Sequence, residues 1–257
     1  MEKIKLFDTH THYDDRAYKG GADAVIEKAL ADNVAGFMAI GCTLDRSRKA
    51  VKIAESRETA YAAVGIHPND VGGLPPDYLE RLEETAKSEK VKAIGEIGLD
   101  YHYKGYDREN QIKAFKEQLR LAERLGLPVI IHSREAAEDT MEILREFKPR
   151  AVTHCYSGSA ETAGELVKMG ILISFTGALT FKNARRAVEA CAAVPLEKLM
   201  IETDCPYMAP EPFRGELCAS GMAWFTAAKI AEIKGLSTKE TVKVCNENAK
   251  RFFGIDF

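Results

Sequence analysis

No apolar run in this 257-residue chain is longer than a strand. The most apolar stretches, "NVAGFMAIG" and "LPVIIHS", are far too short to span a bilayer as a helix. A Lys/Arg block is missing as well, and the formal net charge is −3. That balance argues against a broad basic face of the kind that holds nucleic acid by counterion release. If the chain acts on phosphodiesters, positive charge must come from a few arginines or from metal ions. There is no C-x-x-C pair and no dense cysteine spacing. The six cysteines (Cys42, Cys155, Cys191, Cys205, Cys218 and Cys245) are scattered and read as free thiols in a reducing, cytoplasmic setting. A cleavable apolar leader is not expected, because "MEKIK" runs directly into an Asp/His-rich strand. Linker-like stretches, low-complexity segments and internal repeats are also absent. So is a G-x-G-x-x-G turn after the first strand, which argues against a doubly wound dinucleotide-binding sheet.

What is present is an ordinary globular composition, 46% hydrophobic and 29% charged, arranged in alternation. Eight strand candidates lie at 4–12, 34–41, 60–68, 91–98, 128–133, 151–158, 171–177 and 199–207. Between them run helix-periodic segments such as "GGADAVIEKALADN" and "NQIKAFKEQLRLAERLG". Eight strand–helix units in a chain near 250 residues predict a single (β/α)₈ TIM-barrel domain over 1–257. The tail "STKETVKVCNENAKRFFGI" reads as a C-terminal closing helix.

The polar residues are not scattered evenly over that pattern. Of the six histidines, His10, His12, His67, His132 and His154 fall at or near the carboxyl ends of predicted strands, and His102 lies in the loop after the fourth. Glu96 lies near the end of strand four and Asp204 in the last strand. In barrel enzymes this rim carries the chemistry. In "FDTHTH", Asp8, His10 and His12 share one strand face, with the two imidazoles starting about 6.6 Å apart at roughly 3.3 Å per residue. Taken singly, each residue has an ordinary explanation: a satisfied core histidine for His132 or His154, a turn cap for Asp204. Glu96, set between apolar residues, requires a partner. Together they form a neutral-imidazole and carboxylate set suited to Zn²⁺, Mn²⁺ or Mg²⁺. Four histidines and two acids exceed one open catalytic site; they suit two ions sharing one acid, for which Glu96 is the natural bridge. Cys155 and Cys205 alternate away from the ligand face and read as packing residues.

The motifs "FDTHTH" (7–12), "GIHP" (65–68), "AIGEIGLDY" (93–101), "IHSR" (131–134), "HCYSG" (154–158) and "IETDCPY" (201–207), in that order, resemble the TatD-type metal-dependent deoxyribonucleases, a branch of the amidohydrolase-like metal hydrolases. The resemblance implies a barrel with a binuclear site. His10, His12, Glu96 and Asp204 would hold one ion; Glu96, His132 and His154 would hold the second. His67 would sit near the substrate phosphate. It also implies phosphodiester hydrolysis in DNA, often 3′–5′ exonucleolytic, with single-stranded or frayed DNA as the partner and no membrane or protein partner. Asp204, Glu96 and His67 are the expected catalytic residues. Arg134 and Arg214 are the expected phosphate contacts. Two departures fall on expected substrate-facing loops. His67-Pro68-Asn69 replaces a frequent His-Pro-His, and Cys218 and Ser220 stand where the family commonly has Asn and Pro.

Three other readings are weighed against this one. Related hydrolases of lactones, amides or phosphotriesters often bridge their metals through a carboxylated lysine at the end of strand four, but here Lys92 is at its beginning. A polymerase-associated phosphoesterase motif runs H-x-H-x-D, whereas here the Asp precedes the histidines. A metal-binding scaffold without catalysis would have no reason to keep every ligand.

Overall fold

The computed structural model describes residues 4–257. Its strands are β1 (Leu6–Thr11), β2 (Val34–Ile40), β3 (Ala60–Val64), β4 (Val91–Asp100), β5 (Val129–Arg134), β6 (Ala151–Thr153), β7 (Leu172–Phe175) and β8 (Leu199–Ile201). The helices are α1 (Asp23–Asp32), α2 (Leu44–Glu55), α3 (Tyr78–Thr85), α4 (Arg108–Leu125), α5 (Ala137–Phe147), α6 (Ala160–Lys168), α7 (Arg185–Ala193), α8 (Ala223–Lys234) and α9 (Thr238–Phe253). The strands form one sheet in chain order, and β1 and β8 are linked by a parallel bridge between Thr11 and Cys205. This is the (β/α)₈ TIM-barrel fold that the alternation predicts. The strands are buried almost throughout, which is why they read as continuous apolar runs. Among the described residues, no helix is long and apolar enough to cross a membrane.

Two compact units can be distinguished. One comprises the described residues through Met38, Cys155–Lys168 and Leu172–Phe257; the other comprises Ala39–His154 and Met169–Ile171. In the first, β1 and β8 are joined by Asp204 N–H donating to His10 O (3.0 Å) and His12 N–H to Cys205 O (2.7 Å). The tail helix forms as expected. Its N-cap Ser237 accepts the Glu240 N–H, and it ends at Gly254 in the left-handed region. Asn246 accepts from Phe7 N–H and donates to Lys5 O, while Asn248 Nδ2 donates to Leu196 O and Leu199 O. Those amides dock α9 against β1 and the start of β8.

In the second unit, β3 to β6 pair in parallel. Two buried glutamines of α4 hold the ends of β3 and β4. Gln118 exchanges hydrogen bonds with the Ile66 backbone, and Gln111 with that of Asp100. The chain enters α4 at Asp107, whose carboxylate accepts the Asn110 N–H, and leaves at left-handed Gly126.

Strands β6 and β8 are shorter than expected, stopping at Thr153 and Ile201 rather than 158 and 207. Past these ends the chain turns to positive φ at Cys155 (46°) and Asp204 (62°), where regular strand geometry gives way. Strand β4 runs two residues beyond the expected 98. Inside it Gly98 has φ 146°, and a Cβ there would lie 1.9 Å from the His132 carbonyl oxygen. Gly98→Ala is therefore expected to destabilise the fold by more than about 1 kcal/mol. For a chain of this size, thermal unfolding should shift down by at least about 2–4 °C. An unchanged melting temperature would show that β5 yields freely at His132.

Candidate metal centre

In the first unit, three donors converge where β1 and β8 end. His10 Nε2 and His12 Nε2 are 3.2 Å apart. Asp204 Oδ1 is 3.3 Å from His12 Nε2 and 3.7 Å from His10 Nε2. A circle through these three atoms has a radius of about 2.0 Å, the length of a Zn–N or Zn–O bond. Two imidazole nitrogens at 3.2 Å can share at most one proton, whereas a cation satisfies both. The set thus fits a divalent ion. Asp8, on the same strand, serves another purpose. Its Oδ1 accepts Thr203 N–H (2.9 Å) and its Oδ2 accepts the Thr203 hydroxyl (2.6 Å), tying the residue before Asp204 to β1. Burial pushes the Asp8 carboxyl up to about 7, against the opposing hydrogen bonds from Thr203 and Ser220.

The second unit supplies another set. Glu96 Oε1 lies 2.7 Å from both His132 Nδ1 and His154 Nε2, and the two imidazole nitrogens are 3.4 Å apart. Glu96 is nearly fully buried, and the two histidines are the partners it required. Strand order explains the convergence, since β4 pairs with β5 and β5 with β6, and His154 N–H donates to Ile131 O. Two imidazoles and one carboxylate again suit a divalent ion.

Asp100 escapes the sequence reading yet holds this second set in place. Its Oδ2 is 3.2 Å from His132 Nε2 and accepts from Asn69 Nδ2 (3.1 Å). A carboxylate on the far ring nitrogen fixes the orientation and tautomer of a ligating histidine. Burial pushes the Asp100 carboxyl up, but hydrogen bonds from His132, the His102 N–H and Asn69 outweigh it and hold the group at about 2. The His132 ring responds in kind: burial alone would lower its pKa, but Asp100 and Glu96 raise it. The signal was available, since Asp100 has the same strand parity as Glu96 and stands inside the "AIGEIGLDY" motif.

His67 joins the second set. Its ring lies edge-on to His132 at 4.5 Å, with Nε2 3.8 Å from Glu96 Oε1. Burial pushes it down to about 4, with Glu96 opposing, so the ring is neutral near pH 7. Its Nδ1 accepts the Asn69 N–H, which leaves the proton on Nε2. The two arginines each meet an aromatic ring. Arg134 lies over the Tyr103 ring (5.5 Å) and Arg214 over the Phe181 ring (4.3 Å).

The departures at Cys218 and Ser220 are not on a substrate-facing surface, as the sequence suggested. Both residues are buried. Ser220 Oγ accepts the Tyr13 hydroxyl (2.7 Å), and Cys218 O accepts the Tyr18 hydroxyl (2.8 Å). They pin the segment that follows β1. Cys205 is fully buried, and Cys155 Sγ sits 3.3 Å from Thr176 Oγ1.

Comparison with known proteins follows the same lines. The model of the family described as TatD related DNase matches residues 7–254. An uncharacterized metal-dependent hydrolase, YabD of Bacillus subtilis, is 40% identical over 254 residues, covering 98% of this chain and 100% of its own. YcfH of Escherichia coli, named in the same way, is 36% identical over 257 residues, covering 98% and 96%. Among solved structures, the TatD homolog YJJV of Escherichia coli superposes with a TM-score of 0.94 at 29% identity, covering 99% of this chain and 100% of that one.

Proposed function

The chain belongs to the TatD related DNase family and is a metal-dependent hydrolase of it. On that premise we propose that it cleaves phosphodiester bonds of DNA, 3′ to 5′ from single-stranded or frayed ends, with two divalent ions (Zn²⁺, Mn²⁺ or Mg²⁺) per chain. The observation that carries this reading is the pair of compact donor sets. His10, His12 and Asp204 would hold one ion; Glu96, His132 and His154 would hold the other.

When bound, such ions lower the pKa of water and neutralise charge developing on the phosphate. The chain's own residues supply the rest. Asp204, whose carboxylate stands at the mouth of the first set, accepts the proton of the attacking water. His67 offers its Nε2–H to a non-bridging phosphate oxygen as a neutral donor. Glu96 holds the His132 and His154 rings together, and Arg134 and Arg214 provide positive charge for neighbouring phosphates. A carboxylated-lysine enzyme is less well supported, because Lys92 opens β4 and lies over the Tyr61 ring at 5.9 Å.

The direct test is end-labelled single-stranded DNA incubated with Mn²⁺ or Mg²⁺, with and without chelator. Stepwise shortening that stops with chelator is expected; intact DNA under all conditions would overturn the nuclease reading. Binding should also depend only weakly on salt. With two arginines as the main phosphate contacts, the slope of log K against log[salt] for single strands should be about −1.4. A slope several times steeper would reveal an extended groove that these two residues do not account for.

A further inference from the structure

The loop of residues 101–107, between β4 and α4, starts beside the second donor set. Asp100, which orients His132, also accepts the His102 N–H on Oδ1 (3.0 Å). Beyond it the loop is anchored on several sides. Tyr101 N–H donates to Arg134 O (2.9 Å), and the Tyr101 hydroxyl donates to Asp139 (2.6 Å). Arg108 grips the same Asp139 through two N–H donors, at 2.6 and 2.7 Å. The Tyr106 ring stacks on Tyr101 at 4.6 Å and 14°, and His102 Nδ1 meets Glu135 Oε1 at 2.7 Å.

Within this anchored loop the Tyr103 ring meets His102 edge-on at 5.1 Å and remains 55% exposed. Arg134 carries its guanidinium 5.5 Å from that ring and donates from Nη1 to its hydroxyl (3.4 Å). Arg134 is two residues beyond His132 on β5, so its side chain leaves the strand on the same face as the ligand. A single exposed tyrosine needs no explanation. Here, however, the loop around the ring is anchored and directly continues β4, which carries Glu96, and the arginine against the ring stands on β5 with His132.

We propose that Tyr103 and Arg134 form a stacking shelf for one nucleobase of a single-stranded DNA end, next to the phosphodiester to be cut. This inference rests on the phosphodiesterase reading. Every base offers a π face, so an aromatic platform binds DNA without selecting sequence. An arginine beside the platform adds cation–π attraction and can reach the adjoining phosphate. A paired base inside a duplex presents no free face to such a shelf. Preference for single-stranded or frayed ends follows from that restriction.

The test compares wild type, Tyr103→Leu and Tyr103→Trp on two single-stranded oligonucleotides. One is intact; the other carries tetrahydrofuran abasic residues at its last positions. For Tyr103→Leu we expect KM for the intact strand to rise about tenfold, equivalent to about 1.4 kcal/mol of stacking. Tyr103→Trp should restore it. On the abasic strand, wild type and Tyr103→Leu should have the same KM. A second readout is independent of turnover: quenching of a terminal 2-aminopurine on binding, strong for wild type and Trp, weak for Leu. Cleavage and quenching that ignore position 103, or a Leu penalty equal on both strands, would overturn the shelf and leave the nuclease reading intact. Quenching that depends on Tyr103 without any cleavage would do the reverse.

Discussion

Asp204→Asn is expected to keep its metal and lose about 10²–10⁴-fold in kcat, the range for removing a general acid–base group. The backbone tolerates the change: Asp204 has φ 62°, and asparagine is among the few side chains that occupy the left-handed region readily. Its N–H bond to His10 O and the neighbouring clasp of Asp8 on Thr203 involve no atom that the substitution alters. The amide keeps one oxygen for the ion beside His10 and His12. What it loses is the ability to take a proton from water. Measurement should therefore separate two quantities, metal content at saturation and the single-turnover rate. If excess Mn²⁺ returned the variant to nearly full activity, Asp204 would be only a ligand and the proton-acceptor role would fall.

Glu96→Ala should be more damaging still. Wild type saturated with Mn²⁺ or Zn²⁺ is expected to hold up to two equivalents of metal. Glu96 Oε1 is the carboxylate oxygen shared within the second set and touches both of its imidazoles at 2.7 Å. Its loss takes away the carboxylate shared by His132 and His154, and it removes the ligand that the family resemblance assigns to both ions. Metal content should fall below one equivalent. Activity should drop by more than the 10–100-fold typical of losing an outer partner of a metal ligand. His132→Ala, by contrast, should lower occupancy at the second set alone and leave about one equivalent. A wild type that never exceeds one equivalent, or a Glu96→Ala protein that still holds two, would overturn the two-ion reading.

Much of this architecture can be read from the sequence, because its causes are local or periodic. Strands buried on both faces must be apolar throughout, and helices packed on one side must repeat their apolar residues every three to four positions. That periodicity determined the eight units and the closing helix. The histidines could be placed for a related reason: a polar residue that ends an apolar strand stands at the rim of the barrel. Tertiary structure decided what depends on distant partners. Asp8 shares a strand face with His10 and His12, yet a hydroxyl and an N–H nearly two hundred residues away make it a clasp instead of a ligand. Asp100 became the orienting partner of His132 only because β4 and β5 align Asp100 with Arg134 and Gly98 with His132. The segment of Cys218 and Ser220 packs inside the protein, where the Cys218 carbonyl and the Ser220 hydroxyl accept from two tyrosine hydroxyls about two hundred residues away. Periodicity records which way a side chain faces; the hydrogen-bond partner it finds there is set by chain segments far away in sequence.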